Sequence, residues 1–378
     1  MIPRELTPIM LKNLNSGKVI LILGPRQVGK TTLVKHVVDL SSQKTLWLNG
    51  DEADIRLALT DTTSTRLKTM TGGYECVVLD EAQQIPNIGL TLKLMVDSIP
   101  DVNIIATGSS SLELASKINE PLTGRKFEYF LYPISYKEMI DATSSMEEQR
   151  LLEHRMIYGY YPEVVTSPGQ EKNILASLSD SYLYKDLFVW EQIKKPVLLE
   201  KILQALALQI SNEVSYHEIG QLVGADNQTI ERYIDLLEKA FVIFRLSALS
   251  RNLRNELKRA KKIYFYDNGI RNAILKNFSP LAFRQDVGAL WENFIISERK
   301  KANHYSQRWL NSYFWRTHSQ REIDYIEEYE GVLHATEIKW NPKKKPKIPQ
   351  PFSEAYPSSE FEVITPENYV DFIVSRNA

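Results

Sequence analysis

The chain has 378 residues, 43% hydrophobic and 25% charged, which is too apolar for a disordered chain and long enough for two or three packed domains. Lys and Arg number 46 against 47 Asp and Glu, so a net charge of −1 gives no whole-molecule attraction for a polyanion, and any nucleic-acid surface must be a local patch. A single cysteine, Cys76, excludes a disulfide framework and a cysteine-based zinc cluster. The opening MIPRELTPIM lacks the basic-then-apolar pattern of a signal peptide, and no apolar run approaches the ~20 residues of a membrane helix, so the expectation is a cytoplasmic protein with no membrane span.

In chain order, KVILIL at 18–23 predicts a buried strand, and the helical pattern TTLVKHVVDL follows it. Further strands are predicted at Thr45–Leu48, closed by the turn Asn49-Gly50-Asp51, at Cys76–Leu79 and at Asn103–Thr107, with a helix near 89–98. Strand–helix alternation of this kind predicts a parallel sheet covered by helices. From Glu147 the pattern turns helical, through 170–188 and 197–210. Ile219, Leu222 and Val223 then mark a short helix, Gly224-Ala225-Asp226 a capped turn, and Ile230, Tyr233, Ile234 and Leu237 a second helix, before the alternating strand 241–246. This order is the winged-helix outline. Residues 245–262 hold seven basic residues and one acid, Glu256, and lead into the strand KIYFYD. In the last third a helix is predicted at 291–301 and strands at 313–316, 323–327, 334–339 and 361–365, with NPKKKPKIPQP as a loop.

Gly24-Pro25-Arg26-Gln27-Val28-Gly29-Lys30-Thr31 fits GxxxxGK(S/T) between a strand and a helix, the setting in which backbone N–H groups and a helix N-terminus cradle phosphates. Residues 24–31, with Thr32, are the candidate ATP-binding residues. Lys30 is expected to reach the β- and γ-phosphates, and the Thr31 hydroxyl to hold Mg²⁺. CVVLDEAQ ends a strand in Asp80-Glu81, placing Asp80 as a second magnesium residue and Glu81 as the group that polarises the attacking water. Thr107 or Ser109, at the end of NIIATGSS, is a candidate to orient that water. Arg125, in LTGR, is either an arginine aimed at the γ-phosphate of the same or a neighbouring chain, or a plain surface residue.

GPRQVGKTTL, LNGDEADIR, VVLDEAQ, the TGSS strand and LTGRKFEYFLYPISYKE resemble the bacterial and archaeal AAA+-type ATPases. YGYYPEVV, SYLYKDL, KIYFYDNGI and WENFIISE…REIDYI…TEIKW extend the resemblance over nearly the whole chain. It implies an AAA+ ATPase core, a winged helix and a restriction-endonuclease-like C-terminal fold.

Asp324 followed by Glu337-Ile338-Lys339 is a D…ExK pattern, in which two acids hold Mg²⁺ and the lysine steadies a nucleophilic water; Glu292 can add a third carboxylate. This resembles the PD-(D/E)xK nuclease core, with Asp324 at a hairpin turn and Ile323 where proline is usual. An active nuclease, an inactive scaffold and a chance pattern are the competing readings. For DNA, Gln228, Thr229 and Arg232 are expected to face the major groove and residues 258–262 the phosphates; otherwise the winged helix holds a protein partner or a second copy of the chain. The expected architecture is α/β, with a P-loop AAA+ domain at 1–145, a helical region at 146–210, a winged helix at 211–270 and a PD-(D/E)xK-like domain at 271–378.

Overall fold

Five short apolar runs without helical period set the first sheet. The computed structural model describes residues 1–108, 122–180, 196–250, 261–317 and 319–374. These divide into two compact units, Met1–Ile134 with Lys239–Phe241, and Ser135–Glu238 with Val242–Ala378. Among the described residues no helix is long and apolar enough to cross a membrane.

In the first unit β1 (Val19–Leu23), β2 (Thr45–Asn49), β3 (Cys76–Asp80), β4 (Asn103–Gly108) and β5 (Lys126–Phe130) form a parallel sheet in the order β2-β3-β4-β1-β5. The three inner strands are buried along their whole length, which is why they read as continuous Val/Ile/Leu runs, while the edges β2 and β5 are half-exposed. Among the described residues, helices α1 (Leu6–Asn13), α2 (Lys30–Ser41), α3 (Ala53–Leu59), α4 (Ser64–Thr71) and α5 (Ile88–Ser98) accompany the sheet. The predicted strands and the 89–98 helix are present to within two residues. Parallel strands deliver their C-terminal residues to one edge, so Gly24, Asn49-Gly50, Asp80-Glu81 and Thr107 converge there.

The second unit contains a seven-stranded mixed sheet. Its strands are β6 (Glu213–Val214), β7 (Ile243–Ala248), β8 (Lys261–Phe265), β9 (Asn311–Arg316), β10 (Glu322–Tyr329), β11 (Val332–Ile338) and β12 (Glu360–Ile364), in the order β12-β11-β10-β9-β7-β8-β6. The winged-helix and C-terminal regions, expected as separate domains, share this sheet, because β7 pairs parallel with β9 through Ser247↔Tyr313 and Ala248↔Phe314. Strand β7 begins two residues later than the alternation suggests, since Phe241 turns with φ 58° before the ladder starts. Between helices Tyr216–Val223 and Asn227–Lys239 lies the expected turn with its capping Asp226, and the first helix has a cap of its own at Ser215. Ser215 accepts from Glu218 N, Gly224 ends the first helix at φ 74°, and Asp226 accepts from Thr229 N at 2.8 Å. Helix Val287–Tyr305, longer than predicted, packs against β8 and β11.

Several segments that carry the family resemblance meet in a buried polar network. Asp267 accepts from Tyr160 N at 2.7 Å and Ile270 N at 3.1 Å, and a Cβ on Gly159 would fall 2.1 Å from its carboxylate. Asn293 closes the network, accepting from Phe265 N at 2.8 Å and donating to Phe265 O at 3.0 Å. These residues hold YGYY, YFYDNG and WENF to one another, which is an architectural role.

Candidate functional site

The phosphate loop starts where β1 ends. Gly24 is required by proximity: a Cβ there would lie 2.1 Å from the Leu131 carbonyl at the end of β5. Gly29, at φ 90°, caps α2 in the left-handed region that glycine tolerates. The Lys30 ammonium is buried and donates to Gly24 O at 2.9 Å and Pro25 O at 2.7 Å, so the lysine already spans the loop it serves.

Asp80 stands between two hydroxyls. Thr31 Oγ1 donates to Asp80 Oδ2 at 2.9 Å and Thr107 Oγ1 to Asp80 Oδ1, while Thr107 Oγ1 accepts from Glu81 N at 3.1 Å. Thr107 is fully buried, so its one hydroxyl fixes the positions of both acids. Glu81 is held at φ 49°, a strained conformation for a residue with a side chain, and its carboxylate accepts from Gln83 Nε2. Thr31, Asp80, Glu81 and Thr107 are thus brought together at the loop mouth. Ser109 lies outside the described residues.

Arg125 is not brought there. It precedes β5, at the opposite edge of the parallel sheet from the loop, and pairs with Asp97 at 2.9 Å on the surface. Strand direction therefore places Arg125 away from this chain's own phosphate loop, which leaves the plain surface residue and a role toward a neighbouring chain as the two readings.

In the sequence Gly50 reads only as part of a turn. Its N–H donates to Asp80 O at 2.8 Å, and a Cβ there would meet Glu81 O at 2.3 Å. Arg56 Nη1 in turn donates to Gly50 O at 2.9 Å and Asp51 O at 2.6 Å, so LNGDEADIR braces the Asp80-Glu81 turn. Gly50→Ala is expected to push the Glu81 backbone aside, lowering ATP turnover at least tenfold and stability by about 1–3 kcal/mol. Turnover and urea unfolding of the purified variant check this; a wild-type rate contradicts it.

In the second unit one of the C-terminal acids, Asp324, lies at a β-bulge. The β9–β10 register shifts between Ile323 and Ile326, and Asp324 sits inside β10 rather than at a hairpin turn, which falls instead at Glu330-Gly331. The bulge re-aims Asp324, whose Oδ2 accepts from Ile338 N at 2.8 Å and Lys339 Nζ at 2.8 Å. Lys339 also pairs with Glu337 at 2.5 Å. Glu292 Oε1 accepts from Tyr264 OH at 2.7 Å and Lys262 Nζ at 3.1 Å, and Lys262 also pairs with Glu322.

Lys262 corrects an expectation. Placed among phosphate-contacting residues by the basic stretch, it is 1% exposed and neutralises Glu292 and Glu322. Lys258 lies outside the described residues. Burial alone would lower the Lys262 ammonium, but Glu292, Asp324 and Glu322 hold it above its ordinary range. Burial pushes Glu292 up to about 7 and Glu337 up to about 7, with the Asp324 charge adding to both. Among the described residues no group of three or more His, Cys, Asp and Glu side chains is arranged to hold a metal ion. Lys262 holds Glu292 Oε1, and Lys339 holds Asp324 Oδ2 and Glu337 Oε2, so these acids are arranged as ion pairs rather than as a ligand cluster.

Because the folded state binds these two protons more tightly than the unfolded chain, their stabilising contribution is complete below the ordinary carboxyl pKa and is lost as pH rises through about 7. The urea midpoint is therefore expected to fall from about pH 5 to about pH 8, and less steeply in Glu292→Gln/Glu337→Gln. Parallel profiles for the two proteins contradict this assignment.

On the helix Asn227–Lys239, Gln228 and Arg232 are exposed, whereas the Thr229 hydroxyl donates to Asp226 at 2.9 Å. Thr229 is thus part of a cap rather than a groove-facing reader, because its donor and backbone N–H are both committed to Asp226.

Residues 16–140 match the family model described as "AAA domain"; residues 149–281 and 287–375 match two models each described as a domain of unknown function, DUF8612 and DUF4143. An uncharacterized protein of Mycobacterium tuberculosis is 27% identical over 343 residues, covering 89% of this chain and 73% of that protein. An uncharacterized protein of Methanocaldococcus jannaschii is 24% identical over 331 residues, 82% of this chain and 72% of that protein. Among solved structures, Drosophila ORC bound to AT-rich DNA and Cdc6 aligns over 72% of this chain and 90% of that chain, at 10% identity and a TM-score of 0.26, too low to carry an argument. The parallel sheet, the phosphate loop and the AAA match together make the N-terminal unit a P-loop domain of the AAA, nucleotide-binding type.

Proposed function

We propose that the protein is a Mg²⁺-dependent ATP-binding and ATP-hydrolysing AAA+ ATPase whose nucleotide state is coupled to the second unit, acting on nucleic acid. The observation that carries the ATPase reading is the hydrogen-bonded chain Thr31–Asp80–Thr107–Glu81 at the mouth of the phosphate loop. It puts a hydroxyl and a carboxylate side by side, the donor set that fits magnesium, so Thr31 and Asp80 are the residues to hold the ion. When bound, Mg²⁺ supplies neutralisation of the charge on the phosphate oxygens. The loop N–H groups and Lys30 bind and orient the phosphates. Glu81 positions a water and takes its proton, and Thr107 keeps Glu81 in register with Asp80.

The nucleic-acid reading draws on the second unit. Helix 196–208, β6, helices 216–223 and 227–239, β7 and β8 follow one another, with β8 between β6 and β7, the order and pairing expected of a winged helix. Gln228 and Arg232 are its candidate DNA residues. ATP turnover with and without duplex DNA tests the coupling, with DNA stimulation, diminished in Arg232→Ala, as the expected outcome. Salt-sensitive DNA binding that is indifferent to nucleotide would count against it.

A second reading, a slow nucleotide-gated switch that binds a protein partner, is favoured by two observations. Gln83 holds the Glu81 carboxylate at rest, and the C-terminal acids are neutralised by Lys262 and Lys339, as in an inactive nuclease-like scaffold. Metal-dependent DNA cleavage lost in Lys339→Ala would overturn the scaffold part of this reading.

A further inference from the structure

We infer that Arg4 is a positioning residue of the phosphate loop: its guanidinium holds the Val28–Gly29 peptide so that the Gly29 N–H faces the phosphates. The inference rests on the nucleotide reading of this loop, and Arg4 lies outside the phosphate-binding motif, ahead of α1.

Arg4 Nη1 donates to Val28 O at 2.8 Å, and Nη2 donates to Tyr132 O at 2.6 Å. The Val28 carbonyl and the Gly29 N–H belong to one planar peptide, and the described chain has no cis bond, so the two point in opposite directions. A carbonyl pinned on the outside of the loop therefore fixes the N–H toward its inside, where a phosphate sits. Gln27, just before Val28, is at φ 58°, a left-handed conformation that a residue with a side chain holds only with outside contacts.

The second bond sets where the loop stands. Tyr132 follows Leu131, whose carbonyl crowds Gly24, so the start of the loop packs against the end of β5 and its turn into α2 is tied there through Arg4. The planar guanidinium supplies two donors at a fixed spacing, which a lysine ammonium cannot reproduce while keeping the same charge. A positive charge beside the loop adds attraction for phosphate, and Arg4→Lys retains that attraction while losing the fork.

The test uses the full chain as wild type, Arg4→Ala, Arg4→Lys and Lys30→Ala, reading affinity for a fluorescent ATP analogue and steady-state turnover with Mg²⁺. Arg4→Ala is expected to weaken nucleotide binding about ten- to a hundredfold, the loss of a charged hydrogen bond to the loop. The loss is expected in KM, with kcat within about threefold, because the ground and transition states share the Gly29 contact. Arg4→Lys is expected to bind several-fold more weakly than wild type at an unchanged melting temperature. Free guanidinium is expected to restore part of the binding in Arg4→Ala and none in Lys30→Ala. Arg4→Ala or Arg4→Lys binding within twofold of wild type, while Lys30→Ala fails to bind, would overturn the inference and leave the nucleotide reading standing. Failure of the wild type to bind would overturn the nucleotide reading, and this inference with it.

Discussion

Glu81→Gln is expected to lower ATP turnover about a hundred- to ten-thousandfold, the usual contribution of a positioned general base, while ATP binding stays close to wild type. At 1.36 kcal/mol per tenfold, this is roughly 3–5 kcal/mol of barrier. The substitution is nearly isosteric. It leaves the bond from the residue 81 N–H to Thr107 Oγ1, and neither Lys30 nor Thr31 loses a partner. What it removes is the charge that accepts a proton from water. Single-turnover phosphate release and equilibrium binding separate the two effects. Loss of binding along with turnover would mean that Glu81 shapes the loop rather than serving the chemistry.

The second large effect concerns stability. Arg299 is 2% exposed and grips Glu327 with two hydrogen bonds, at 2.7 and 2.6 Å, while donating to Phe372 O at 2.6 Å. Asn303 Nδ2 and Tyr325 OH complete the carboxylate's partners. Arg299→Ala leaves a buried charge with neutral donors only, so a loss of about 3–5 kcal/mol in unfolding free energy is expected. Arg299→Met/Glu327→Leu, which removes both charges, is expected to recover a good part of it. Urea unfolding of the second unit's transition measures both. A loss under about 1 kcal/mol in Arg299→Ala would contradict the assignment of this pair as a buried anchor.

The first unit was legible because its physics is local. Inner parallel strands must be apolar along their whole length, so KVILIL, CVVLD and NIIATG stand out, and the phosphate loop needs its glycines at fixed spacing. Strand β5, KFEYF, does not stand out in the sequence because this edge strand carries Lys126 and Glu128 among its apolar residues. Arg125 could not be aimed from sequence for the same reason: its direction depends on which way β5 runs.

The second unit was harder because its signals are non-local. Glu298, Arg299, Lys301 and Glu327 are charged residues that a pattern reading puts on the surface, yet all four are buried in pairs, and Lys262 is buried against Glu292. The sheet is continuous through the β7–β9 pairing, two residues matched across a long stretch of chain, which no periodicity announces. The Asp324 bulge likewise depends on register between strands. Gly50 and Arg4 were visible as residues but not as parts of the site, since their role lies in backbone carbonyls of other segments.

Hydrolysis of Mg-ATP at the phosphate loop of the N-terminal unit is the activity proposed. Phosphate release by the full chain with Mg-ATP, compared between wild type and Lys30→Ala, tests it most directly. Turnover in the wild type is expected to depend on Mg²⁺ and to be lost in Lys30→Ala. Equal rates in the two proteins, or nucleotide bound by neither, would contradict it.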